Sequence, residues 1–393
     1  MNRAAIDATK AASVLPATVP QPQPRLLLLG TGTVGSAFVE RWQQLSRRGL
    51  ALPRFGALAN SRGVIRCGED ADEALRAANR APRDAAGSHL WGSGDGSEVL
   101  AADPNAAVAA ATADFAPPSA GDIIVDATAS DAIAARHAPW LARGVHVVTA
   151  NKLGTGADLL RAQAIARARS DGGSCYGDAA TVGAGLPLLR SIRELHAGGD
   201  RIHAIAGVLS GSLAWLFDRY DGRQPFADLV RTARDGGYTE PDPREDLSGE
   251  DVRRKLLILA RTAGIALEAN EVAVESLLTP ELAAAAPEEV DATLSTLDAP
   301  LRRRHAGACN QGARLRFMAR FRYDGDGRIR ASVGPETLGP TDPFAPSGGT
   351  DNRVAIWSDR YRDQPLVVQG PGAGTGVTAA ALLDDVLRIV GAR

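Results

Sequence analysis

The run Gly30-Thr31-Gly32-Thr33-Val34-Gly35 constrains this chain more than any other feature, because of where it stands. It follows directly on an apolar segment at residues 25–29, and a helical pattern runs on from residue 36 to about 47. Strand, glycine turn, then helix is the context in which a GxGxxG spacing reads as a dinucleotide site. The first glycine permits the tight turn, the second lets the backbone approach a pyrophosphate, and the third allows close helix–strand packing. The helix N-terminus then faces the anionic charge. Gly30, Gly32, Thr33, Val34 and Gly35 are therefore expected cofactor contacts. The bland alternative is a glycine turn with no ligand.

The next candidate strand, residues 55–59, ends in Asn60-Ser61-Arg62-Gly63. An NAD site usually places Asp or Glu at that turn for the ribose 2′-hydroxyl, whereas an Arg accommodates the 2′-phosphate of NADP. Arg62 without a carboxylate favours NADP over NAD. Continuous apolar runs at residues 122–126 and 145–149 have the texture of buried parallel strands. Ligands of such sheets bind beyond the strands' carboxyl ends, which puts Thr128 and Lys152 in reach of one.

Between these strands, residues 68–115 are Ala-rich and predict helices with an exposed loop, to which no role is assigned. After Lys152 the pattern gives a helix over 157–170, a glycine-studded stretch from Gly177 to Pro187, and mixed strands and helices to about residue 333. The C-terminal end reads as a strand (366–369), a glycine loop (370–376) and a helix (377–390) able to rejoin the first domain. The expected fold class is α/β, a Rossmann-type doubly wound parallel sheet with a second α+β domain. Residues 1–24 are expected to be a flexible tail. The dinucleotide-binding domain is placed at 25–152, rejoined by 365–393, and the second domain at 153–364.

Composition agrees and narrows the class. The 393 residues exceed the roughly 150 of an average domain. The formal net charge of -2 favours neither nucleic acid nor an anionic membrane as partner. The basic run Arg302-Arg303-Arg304 reads best as a solvated helix face. No apolar stretch reaches the ~18 residues of a membrane span, and the Pro-rich start lacks the apolar core of a secretory signal. Cys67, Cys175 and Cys309 stand in no metal-ligand spacing and leave one unpaired, which suits a reducing, cytoplasmic setting.

The chemistry concentrates between Gly236 and Lys255. Pro241 and Pro243 keep Glu240 and Asp242 out of any helix interior. A helix is expected from about Ser248, with Asp251 and Lys255 four apart on one face. Ser248 with Asp251 fits a capping box, and Asp251 with Lys255 fits an ordinary helix ion pair. The functional reading is that carboxylates hold an ammonium and a hydroxyl while a lysine shuttles a proton. Spacing alone leaves both open.

The chain resembles the homoserine dehydrogenases along nearly its whole length after the tail, in particular the dehydrogenase half of the bifunctional aspartokinase–homoserine dehydrogenases. The matching words are residues 30–37, Val147-Val148-Thr149-Ala150-Asn151-Lys152, residues 181–187, Leu209-Ser210-Gly211-Ser212-Leu213, residues 237–243 and residues 372–379, all in the family's order. The resemblance implies reversible NAD(P)-linked interconversion of L-homoserine and L-aspartate 4-semialdehyde, on the route to threonine and methionine. It implies that Glu240 binds the substrate amino group with Asp246 nearby, that Asp251 contacts the reacting end, and that Lys255 exchanges the proton. Lys152 matches a second active-site lysine, and which of the two is the acid–base group stays open. Thr128 and Gly374 match cofactor contacts. A monovalent cation, Na or K, on the main-chain carbonyls of Ala179, Val182, Ala184 and Leu186 is also implied, as is a homodimer formed through the second domain.

Two departures stand out. Ala179 occupies a position where the family often has Glu, which removes local charge from the cation loop. The chain ends about one helix beyond the last glycine loop, so threonine feedback through a C-terminal regulatory domain is not expected. Two rival readings remain: a phosphorylating semialdehyde dehydrogenase with Cys175 as nucleophile, and a non-catalytic dinucleotide sensor. The carboxylates and lysine between Glu240 and Lys255 argue against the sensor, which has no evident need of them.

Overall fold

A computed structural model describes residues 24–61, 63–67, 71–80, 118–346 and 348–391. The first sheet comprises β1 (Leu26–Leu29), β2 (Phe55–Asn60), β3 (Gly63–Arg66), β4 (Ile123–Asp126), β5 (His146–Thr149) and β6 (Tyr176–Gly177), in the order β3-β2-β1-β4-β5-β6. Its pairings are parallel except for β3, which returns antiparallel along β2 with Gly63 opposite Asn60. Every residue of β1, β4 and β5 is buried, because helices cover both faces. On one side the helices Thr33–Arg47 and Thr375–Gly391 bring Phe38, Val39, Leu382 and Val386 to the core. On the other, His137–Ala142 and Leu159–Gly172 bring Trp140, Leu141 and Ile165. Strands buried on both faces have no solvent side, hence the unbroken apolar runs.

The three fingerprint glycines divide into two kinds. Gly30 has φ +91°, and a Cβ there would lie 2.8 Å from the Ala127 carbonyl oxygen. A Cβ on Gly35 would lie 1.9 Å from the Gly30 carbonyl oxygen. The fold itself requires both. A Cβ on Gly32 would meet nothing within 4 Å, so that glycine is explained by what approaches from outside.

The second sheet comprises β7 (Ile202–Val208), β8 (Val272–Val274), β9 (Arg314–Tyr323), β10 (Ile329–Leu338), β11 (Asp351–Ser358) and β12 (Leu366–Pro371), in the order β12-β11-β7-β9-β10-β8. Only the β8–β10 pairing is parallel. Alternation along β9 sends Leu315, Phe317, Ala319 and Phe321 into a core shared with Leu216, Leu256 and Leu259 of the covering helices. Arg320 and Arg322 take the opposite face, as period-two geometry requires.

The C-terminal segment joins both units. β12 pairs with β11 in the second sheet, while the helix after the glycine loop packs against the first. On that helix Asp385 receives the Ala179 N–H at 3.0 Å and pairs with Arg388. Burial pushes the Asp385 carboxyl up to about 6; the Ala179 N–H opposes the rise and the nearby charge of Asp178 adds to it.

Two stability predictions follow from this packing. Gly35→Ala is expected to cost about 2 kcal/mol or more, since the strand–helix turn must open, whereas Gly32→Ala leaves the melting temperature unchanged; calorimetry distinguishes them. Asp385 has a folded-state pKa above the ordinary carboxylate value, so its contribution is complete below about pH 4 and is lost as pH rises through about 6. Asp385→Asn, neutral throughout and still an acceptor for Ala179, should therefore gain stability over the parent at about pH 7.5 and none at about pH 4. Urea midpoints at the two pH values check the sign.

Candidate active site

The helix Glu250–Thr262 begins after Gly249, whose φ of +77° turns the chain into it. Ser248 donates to the Glu245 carbonyl at 2.8 Å and accepts from Glu250 N at 3.2 Å. The capping box that Ser248 and Asp251 suggest does not form, because Gly249 takes the N-cap position. Asp251 is instead turned to two cations. Its Oδ2 lies 2.7 Å from Lys255 Nζ and its Oδ1 3.3 Å from Lys152 Nζ. Lys255 Nζ also donates to the Leu209 carbonyl at 2.8 Å. Burial by itself would raise the Asp251 carboxyl, but the ammonium groups of Lys255 and Lys152 outweigh it and hold the carboxyl well below the usual carboxylate range. The side chain of Lys255 is 12% exposed against 34% for Lys152, so Lys255 is the more enclosed of the two.

Lys152 follows β5 in the first unit, whereas Asp251 and Lys255 belong to the second, so their meeting depends on the loop after Lys152. A Cβ on Gly156 would lie 3.0 Å from the Arg254 carbonyl, which shows how closely that loop lies on the helix. Arg261, from the same helix, donates to the carbonyls of Thr155 at 2.7 Å and Ala157 at 3.0 Å. Arg261 escapes a sequence reading, because only the folded loop brings those carbonyls to it.

Of the other acids, Asp246 has both oxygens engaged: Oδ1 accepts from Ser212 Oγ at 2.6 Å and Oδ2 from Glu240 N at 2.8 Å. It anchors the loop that presents Glu240, whose own side chain is exposed. Asp242 is tied to Arg244, whose side-chain hydrogen bonds hold its carboxyl below the usual range. Tyr238 stacks on Trp215 with ring centroids 5.0 Å apart, fixing the start of this loop.

The cofactor side is built from strand ends. Thr128, after β4, bonds through N and Oγ1 to Asp126 Oδ1 at 2.9 and 2.6 Å. Thr33 and Val34 open the helix behind Gly32, which carries no side-chain cap. Gly374 lies before the helix Thr375–Gly391 with φ +124°, and its carbonyl accepts from Thr378. Gly372 rests on Asn352 so closely that a Cβ would come within 1.9 Å of the amide carbon. Asn352, on β11, donates to the same Leu209 carbonyl that holds Lys255, at 3.5 Å, a contact the sequence does not disclose. Arg62 lies outside the described residues, as does most of the Ala-rich segment; of the latter only Cys67 and the helix Ala71–Arg80 are described within and beside it.

The proposed cation carbonyls fall on a short 3-10 turn, Ala179–Thr181, and the bend after it. Ala184 adopts φ +50°, a left-handed conformation that costs a non-glycine residue roughly 1 kcal/mol. Asp178 keeps a buried Oδ1 with no hydrogen-bond partner beside this loop, while its Oδ2 pairs with Arg193 at 2.7 Å. Bent backbone and buried negative charge are what a monovalent cation on carbonyls needs, so the residues fit one. Among the described residues no group of three His, Cys, Asp or Glu could hold a metal ion. Cys175 packs beside the first core, its N–H bonded to His146.

Among the described residues no helix is long and apolar enough to cross a membrane. The homoserine dehydrogenase family model matches residues 187–387, and the model of the homoserine dehydrogenase NAD-binding domain matches residues 30–176. The chain is 42% identical over 267 residues to the bifunctional aspartokinase/homoserine dehydrogenase 2 of Escherichia coli, covering 68% of this chain and 32% of that protein. It is 37% identical over 275 residues to the homoserine dehydrogenase of Schizosaccharomyces pombe, covering 68% and 72%. The crystal structure of a Candida auris protein of unknown function superposes with a TM-score of 0.76 at 30% identity, over 94% of this chain and 98% of that one. Neither the thiol-dependent enzyme nor the sensor finds support in these matches. With both family models matching, the chain belongs to the homoserine dehydrogenase family.

Proposed function

We propose that this chain catalyses the reversible NAD(P)-linked interconversion of L-aspartate 4-semialdehyde and L-homoserine, a step toward threonine and methionine, in the cytoplasm. The observation that carries the reading is Asp251 held between Lys255 and Lys152, beyond the carboxyl end of β5. The nicotinamide, when bound, supplies or accepts the hydride. The residues of the chain do the rest. Lys255 has two of its three donors committed, to Leu209 and Asp251. The third can protonate the oxygen on which negative charge develops, and such stabilisation in an enclosed site is worth far more than in water. Lys152 adds a second positive charge, and Asp251 keeps both ammonium groups in place. Glu240 offers its exposed carboxylate to the substrate ammonium, and Asp246 fixes the loop that carries it.

The open space in front of Gly32 and the uncapped helix behind it suit a pyrophosphate. Preference for NADP over NAD rests on Arg62 and on Asn60, rather than Asp or Glu, at the end of β2. The carbonyls of Ala179, Val182, Ala184 and Leu186 would hold a Na or K ion, whose charge steadies the loop between the two units. Homodimerisation is assigned to the second sheet where Ala204, Arg320, Arg322 and Trp357 line a shallow depression of about 490 Å³.

The reaction is checked by following reduced-nicotinamide absorbance with L-homoserine and either NADP or NAD. Homoserine-dependent reduction is expected, faster with NADP. Lys255→Ala is expected to lose at least about a hundredfold in kcat while NADP still binds with parental affinity. Full activity in that variant removes the role given to Lys255. Light scattering is expected to give a dimer mass, and Ala204→Arg, placed in that depression, a monomer; an unchanged mass in that variant sinks the interface.

A further inference from the structure

Beneath the ligand-facing ends of β4 and β5 lies a chain of polar side chains for which the proposed chemistry has no use. Asp126 and His137 are both 0% exposed, and Tyr176 is buried beside them. His137 Nε2 is 3.0 Å from Asp126 Oδ2, and Nδ1 is 3.1 Å from the Tyr176 hydroxyl. A carboxylate taken out of water needs donors around it, and the bonds that supply them reach both ligand-facing turns. Asp126 Oδ1 takes the N–H and hydroxyl of Thr128. Asp126 Oδ2 takes, besides His137, the Thr149 hydroxyl at 3.4 Å. Thr149 Oγ1 in turn accepts from Asn151 N at 2.8 Å. The Asn151 side chain then bonds Ser130 O at 2.9 Å and Leu153 N at 3.0 Å, on either side of the gap between the two turns. The Lys152 loop also rests directly on the buried pair. A Cβ on Gly154 would stand 2.5 Å from the Tyr176 hydroxyl and 2.9 Å from His137 Nδ1.

These contacts give each nitrogen of the imidazole a partner. Opposite a carboxylate, Nε2 is the donating nitrogen. Tyr176 keeps its proton, because burial, with the charges of Asp178 and Asp126 adding to it, raises the phenol well above its ordinary value. The phenol hydroxyl can donate to Nδ1 or accept from it, so it bonds that nitrogen in either form of the ring.

We propose that Asp126, His137 and Tyr176 form a positioning unit, in which His137, donating from Nε2, holds Asp126 so that the cofactor turn at Thr128 and the Lys152 loop keep one geometry. The inference rests on the dehydrogenase reading above and names residues that act through Thr128 and Lys152 rather than touching substrate.

The test uses the full chain, with calorimetric titration of NADP and separate kcat and KM measurements on homoserine. His137→Leu removes the donor to Asp126, His137→Gln keeps one, and Tyr176→Phe removes the hydroxyl alone. His137→Leu is expected to weaken NADP binding on the order of tenfold and to lower kcat, His137→Gln to recover most of both, and Tyr176→Phe to fall between. In the parent, nitrogen NMR should show Nε2 of His137 carrying a proton. A packing role alone predicts lower melting temperatures with NADP affinity and kcat unchanged in the folded protein, and that result overturns the proposal. So does a His137→Gln variant no better than His137→Leu. Should His137→Leu not fold, parental affinity and kcat in Tyr176→Phe overturn it equally. A parent protein that binds neither NADP nor NAD overturns the dehydrogenase reading itself, and is distinguished from the other outcomes because no variant is involved.

Discussion

Two ammonium groups carried by different parts of a chain repel one another, and only a shared counter-charge can keep them in one site. Asp251 supplies it, one carboxylate oxygen toward Lys255 and the other toward Lys152. The loop after Lys152, the clamp that Arg261 puts on it and the enclosure of Lys255 all serve this contact. Asp251 stays partly open to water, and ion pairs screened by solvent contribute little to stability, so the arrangement is better understood as placing charge than as holding the fold together. The depressed Asp251 carboxyl has the same meaning: it remains ionised wherever the two lysines are charged.

The two sheets divide the labour that this contact requires. The first buries β1, β4 and β5 on both faces and leaves only their carboxyl ends for ligands, which is where parallel sheets bind them. The second covers one face with helices and offers, through Glu250–Thr262 and the Pro-bounded loop before it, the acids and the enclosed lysine. The segment that crosses between them near residue 372 is packed too tightly against Asn352 for any side chain. The units also meet backbone to backbone, where a Cβ on Gly156 would stand 3.0 Å from the Arg254 carbonyl.

The strands of the first sheet were legible because burial on both faces writes itself as uninterrupted apolar residues. The helix behind Gly32 starts at Thr33, earlier than the apolar pattern suggests, because its first turn brings only a half-buried Val34 and a glycine to the core. β3 was hidden for the opposite reason: it is a partly exposed edge strand whose residues lack a continuous pattern. Ser248 shows how spacing misleads. Its offset from Asp251 matches a capping box, but Gly249, able to take positive φ, moved the helix start and released Asp251 for the lysines.

The residues read in order fixed the local chemistry: a glycine turn between strand and helix, apolar runs that must be buried, prolines that keep Glu240 on a loop, and ordered motifs that belong to one family. Those depend on residues near one another along the chain. The tertiary structure alone decided which charges meet. Lys152 and Asp251, Arg261 and Thr155, Asp126 and Tyr176 are brought together across long sequence separations by the packing of two sheets and the loops between them, and no periodicity records such pairs. Asp126, His137 and Tyr176 in particular look like a strand-end acid, a helix histidine and a core tyrosine until burial leaves each only the others to bond.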